Sequence, residues 1–129
     1  MQAFLYFNLT PAGMVFREPL VEQVRQSMPA VSVLDLDAKS DELLQHYALR
    51  LLREAEQAVV SIKSEDGTAD LGSIMPLLEE LFEEGKLRRV LLLGTHPRLE
   101  RIFAARPHVR LKVVQEGDVL EEVKQFLGV

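Results

Sequence analysis

Five consecutive residues, Gly94-Thr95-His96-Pro97-Arg98, place a hydroxyl, an imidazole and a guanidinium just after a short apolar run, Val90 to Leu93. At a strand-to-helix turn the first free N–H groups of the helix join that set, and together they can bind a carboxylate or a phosphate. The same residues have a purely local reading: Gly94 for the turn, Thr95 for the cap, Pro97 for the first helical turn and Arg98 in solvent. A second set is acidic. Asp35, Asp37, Glu65, Asp66 and Asp70 can converge above two neighbouring strands, where carboxylates hold Mg²⁺ or divide into acid and base roles. Acids in the loops and caps of an acidic protein are also commonly just solvated. A third set, Asn8, Thr10 and Gly13, lies in an early polar loop. One glycine there does not align successive N–H groups on a phosphate, and neither dinucleotide nor P-loop glycine spacing occurs in the chain.

Other chemistry is unsupported. His46 and His108 have no second histidine at metal-ligand spacing, and no Gly-x-Ser-x-Gly nucleophile elbow occurs. With no cysteine in the chain, disulfides, thiolate metal sites and a thiol nucleophile are excluded. The candidate ligand set is therefore Asn8, Thr10, Asp37, Asp66, Thr95, His96 and Arg98, with no metal and no cofactor indicated.

The elements that must position these residues are legible in the periodicity. Ala3–Phe7 reads as a first strand ending near Asn8. Pro19 opens a helix through Met28, with Leu20, Val21, Val24 and Met28 inward. Val31–Leu36 is a second strand, and Ser40 is the N-cap of a helix to about Glu56 whose inward stripe is Leu44, Tyr47, Ala48, Leu51, Leu52 and Ala55. Ala58–Ile62 is a third strand. Ser73 caps the next helix, with Ile74, Leu77, Leu78, Leu81 and Phe82 inward and Gly85 as its stop. The Val90–Leu93 strand, a short helix carrying Leu99, Ile102 and Phe103, and a fifth strand over Val109–Val114 follow. Asp118 and Glu121 form a capping-box-like start to a last helix.

Strands alternating with helices imply parallel pairing through right-handed crossovers. The expected fold is α/β: a single three-layer, doubly wound domain over residues 1–129. Its five-stranded parallel sheet takes the order 2-1-3-4-5, flavodoxin-like or Rossmann-like. Ligands of such sheets lie beyond the carboxyl ends of the strands.

The chain has 129 residues, 47% of them hydrophobic and 27% charged, and a net charge of −5. That composition fits an ordinary globular protein and gives no basis for nucleic-acid binding. No apolar stretch approaches the ~18 residues that cross a bilayer, and Met1–Phe7 lacks the basic region of a signal peptide. A soluble cytoplasmic protein without membrane partners is the expectation. Charge is nonetheless segregated. Residues 86–112 hold eight cations and one acid, Glu100, leaving the rest of the chain at −12. Arg88, Arg89, Arg106 and Arg110 fall at the amino-terminal edge of the expected sheet. They read either as a salt-bridge lattice with Glu79, Glu80, Glu83 and Glu84, or as a protein-contact face, with a homodimer as one outcome.

From Ala58 onward the chain resembles anti-sigma-factor-antagonist (STAS) domains in its order of strand, polar loop, helix, strand ending in Leu-Gly, short helix, strand and final helix. The likeness covers about half the chain. It lacks the Asp-Ser-[Ser/Ala]-Gly of those domains, with Glu65-Asp66-Gly67-Thr68 in its place, so it implies shared α/β rhythm and no family. The functional expectation is a non-enzymatic binding or regulatory module for a protein partner or a small anionic ligand. The alternative is an enzyme binding a nucleotide or phosphate ligand at the carboxyl ends of the strands.

Overall fold

The computed structural model describes residues 1–9, 19–37, 42–64, 71–83 and 85–128. The order of elements is β1 (Gln2–Asn8), α1 (Pro19–Ser27), β2 (Ser32–Asp37), α2 (Glu42–Glu54), β3 (Gln57–Ser64), α3 (Met75–Leu81), β4 (Leu87–Gly94), α4 (Pro97–Ala104), β5 (Arg110–Val114) and α5 (Val119–Leu127). All strand pairs are parallel and the sheet runs β2-β1-β3-β4-β5. This is the flavodoxin- and Rossmann-like three-layer arrangement expected from the sequence, with its topological switch between β1 and β3.

The strands alternate between two cores because successive side chains point to opposite faces. Ala3, Leu5, Phe7, Val60, Ile62, Val90 and Leu92 pack under α2, α3 and α4. Phe4, Tyr6, Val59, Leu91 and Leu93 pack under α1 and α5. β1 and β3 are covered on both faces, which is why Ala3–Phe7 is an unbroken apolar run and why only the small hydroxyl of Ser61 interrupts Ala58–Ile62.

Several local expectations are corrected. Helix α3 begins beyond a 3₁₀ turn, Gly72–Ile74, so Ile74 and not Ser73 holds its N-cap position, and Pro76 lies in its first turn. Asp118 closes another 3₁₀ turn and already has helical backbone angles, so its side chain makes no cap bond to α5 and the capping box is absent. Tyr47 is not inward: it is 57% exposed, while Ala48, Leu51 and Leu52 carry the buried face of α2. Ser40 lies outside the described residues, as do Thr10, Gly13, Glu65, Asp66, Asp70 and Glu84.

Candidate functional site

The carboxyl ends of the strands were the expected site. There β1 and β2 end in register, Asn8 beside Asp37 on one side and beside Lys63 on the other. Ser64 pairs with Gly94, and Thr95 N–H continues the ladder by donating to Ser64 O at 2.9 Å. Adjacent strands lie about 4.8 Å apart, so Asn8 and Gly94, separated by β3, are about 10 Å apart across the sheet.

Gly94 has φ +103°, a left-handed backbone that a Cβ would strain, and this turns the chain out of β4. The turn then buries His96, which is only 1% exposed. His96 is the N-cap of α4: its Nδ1 accepts from Leu99 N–H at 3.3 Å, and its carbonyl accepts the first helical bond from Glu100. A ring nitrogen accepting an amide N–H carries no proton of its own, so the geometry assigns the ring proton to Nε2. Thr95 was the expected cap. It is exposed, and its amide is spent on the sheet edge. Arg98 is exposed and makes no ion pair among the described residues. Of this trio, Thr95 and Arg98 face solvent while the imidazole is committed to the helix. Thr10 and Asp66 lie outside the described residues.

The amino-terminal edge holds the basic segment, and its chemistry is mostly internal. In a parallel sheet every crossover helix ends at this edge with its last carbonyls unpaired. Arg88 is only 4% exposed. Its Nη2 donates to Leu52 O at 2.6 Å and to Ala55 O at 2.8 Å, and its Nη1 donates to Glu56 O at 3.2 Å and Leu87 O at 2.9 Å. One guanidinium thus closes the C-terminus of α2. Burial pulls its pKa below the ordinary arginine value, and the charge of Glu80 partly opposes that. Arg88 was a candidate for protein contact; burial removes its side chain from any contact face.

The pattern repeats along the edge. Lys86 donates to Arg53 O, His108 Nε2 meets Phe82 O at the end of α3 at 2.8 Å, and Arg106 donates to Ile102 O near the end of α4. Arg106 also lies 3.8 Å above the Phe82 ring, whose edge meets Phe103 at 5.7 Å. Arg89 stacks on Phe126 of α5 at 5.0 Å. Glu80 gathers Arg53 at 3.1 Å and Lys86 at 3.9 Å, the one piece of the expected lattice that the described residues show. Arg110 remains exposed with no ion pair among them.

No protein-family model matches the chain, and no curated protein sequence matches it. Among the described residues no three His, Asp or Glu side chains are grouped to hold a metal ion, and no helix is long and apolar enough to cross a membrane.

The feature that sequence reasoning missed is an apolar flank on α2. Leu43 is 79% exposed and Tyr47, one turn later, is 57% exposed. Residues four apart on a helix lie one above the other. The opposite flank of α2 faces α3, where Arg53 bonds Glu80, so Leu43 and Tyr47 lie on the side toward the sheet edge formed by β2. Leu34 of β2 packs against the core on this same face and is only half-buried. The available signal was the helical phase of Leu43, which falls outside the inward stripe of Leu44, Ala48, Leu51, Leu52 and Ala55.

Proposed function

We propose that this chain is a non-catalytic binding module of the cytoplasm, and that the α2 flank is where it docks a partner protein. The observation that carries the reading is the exposed Leu43–Tyr47 pair on the side of β2, an outer strand of the sheet. A single exposed leucine needs no explanation. Two large apolar side chains one turn apart, continued by half-buried Leu34, form an anchor pair of the kind a partner's apolar groove accepts. The rim is polar, with Glu42 before the pair and the Arg50–Glu54 ion pair after it. Support also comes from where the reactive groups are spent: His96 caps a helix and Arg88 closes one, both within the fold.

The experiment is a comparison of proteins recovered with the full chain and with its Leu43→Ser/Tyr47→Ser variant, both confirmed folded by circular dichroism. The reading expects a partner that is retained by the parent chain and lost by the variant. Identical recoveries would overturn it.

A further inference from the structure

β5 is an outer strand, bonded to β4 on one side only. An outer strand offers a row of N–H and C=O groups to any strand that approaches, and proteins commonly block such an edge with a charge. β2, the opposite edge, is blocked in this way, because Asp35 stands exposed in the middle of the strand with no ion pair among the described residues. β5 is guarded differently: its central charge, Lys112, bonds Glu122 of α5, and its one exposed charge without an ion pair among the described residues, Arg110, stands at the first residue of the strand.

The flanks of β5 are also open. On the α5 face a crevice of about 710 Å³ is lined by Lys112, Val114, Asp118, Glu121 and Glu122. On the α4 face a groove of about 400 Å³ is lined by Phe103, Ala104, Pro107, Leu111 and Val113. Val113 is 51% exposed.

The geometry points to β5 as the seam of a homodimer, with β5 of one copy running antiparallel to β5 of a second about a two-fold axis at Lys112. This goes beyond the α2 flank and does not depend on it. That axis sets Leu111 opposite Val113 of the second copy and Arg110 opposite Val114 of the second copy. Leu111 and Val113 share the α4 face, so the seam gains two Leu–Val pairs of the kind that stabilise antiparallel strands. Arg110, Lys112 and Val114 share the α5 face. There Arg110, without an ion pair among the described residues, arrives beside Val114 of the second copy and the acids that line the same crevice, Asp118 and Glu121. The strand is complementary to itself, with a cation at its start and acids beside its end, and a two-fold satisfies both ends at once. Pairing of β5 with β2 in a dimer would be head-to-tail and would leave β2 of one copy and β5 of the other still outermost.

The test is sedimentation of the full chain over a range of concentrations. The expected mass rises to twice the 14.6 kDa of one chain. Arg110→Glu and Glu121→Arg each raise the dimer dissociation constant at least tenfold, and the double variant, which restores the charge pair in reversed sense, returns it to within about threefold of the parent. The register is read separately, since the chain has no cysteine of its own. A mixture of Leu111→Cys and Val113→Cys chains forms a disulfide-linked dimer at least tenfold faster than either variant alone, because directly opposed strand residues meet the Cα separation a disulfide needs. A monomeric mass at every concentration, a dimer unmoved by Arg110→Glu, or linkage by the single variants as fast as by the mixture would overturn the proposal. None of these outcomes bears on Leu43 and Tyr47, which lie at the other edge of the sheet.

Discussion

The guanidinium of Arg88 stands 2.6 Å from the carbonyl oxygen of Leu52, thirty-six positions earlier in the chain. It reaches from the second residue of β4 to the last turn of α2, and three further carbonyls share it. A helix that ends inside a protein leaves carbonyls that must find donors. A buried arginine with several donors in a fixed fork answers that need better than a lysine.

Replacing it leaves those carbonyls unpaired. Arg88→Met is expected to lower stability by about 2–4 kcal/mol, since each buried polar group left without a partner costs about 1–3 kcal/mol. Arg88→Lys, with one compact ammonium, recovers less than half. Urea unfolding at constant slope measures this, and a loss under about 0.5 kcal/mol, typical of surface changes, would contradict the role assigned to Arg88.

The cap on α4 makes a paired prediction. His96→Ala removes the acceptor for Leu99 N–H and is expected to cost about 1–2 kcal/mol, while His96→Asn, a strong N-cap, retains most of it. Thr95→Ala is expected to change stability by less than about 0.5 kcal/mol, because the exposed hydroxyl carries no cap. Thermal denaturation of the three variants checks the order, and a larger loss for Thr95→Ala than for His96→Ala would return the cap to Thr95.

Arg106 stacks on Phe82 and donates to Ile102 O, neither of which is an ion pair. Arg106→Ala is therefore expected to cost about 1–2 kcal/mol, combining a cation–π contact with a hydrogen bond. The cost should persist at about 1 M salt, where the Debye length falls to about 3 Å and exposed ion pairs are screened. A cost that vanishes in salt would restore the salt-bridge reading of the basic segment.

Much of the fold was legible because both periodicities were clean. The centres of β1 and β3 are apolar but for Ser61 because both faces are covered, and the α/β alternation leaves few topologies open. The helix starts were less legible. At Gly72 and Glu116 the chain enters through 3₁₀ turns, which shift the caps away from the Ser and Asp residues that usually mark them. The site was least legible. Arg88 looks like one of eight interchangeable cations, yet it shares a strand face with Val90 and Leu92 and so had to point inward. Nothing local distinguishes it from Arg89, which takes the other face and lies on Phe126.

The Leu43 and Tyr47 side chains are mostly in solvent, so their loss should leave the fold intact. Leu43→Ser/Tyr47→Ser is expected to unfold within about 0.5 kcal/mol of the parent. A larger loss, read by urea titration, would mean that these side chains serve the core and not a partner.

The most direct test of the binding-module reading is photo-cross-linking from within cells that make the protein, with p-benzoylphenylalanine placed at position 47 or, as a control, at exposed position 125 of α5. The expected result is one discrete heavier adduct from position 47, absent from position 125 and lost when Leu43→Ser is added. Equal adduct patterns from the two positions, or none from position 47, would contradict the α2 flank as a docking face.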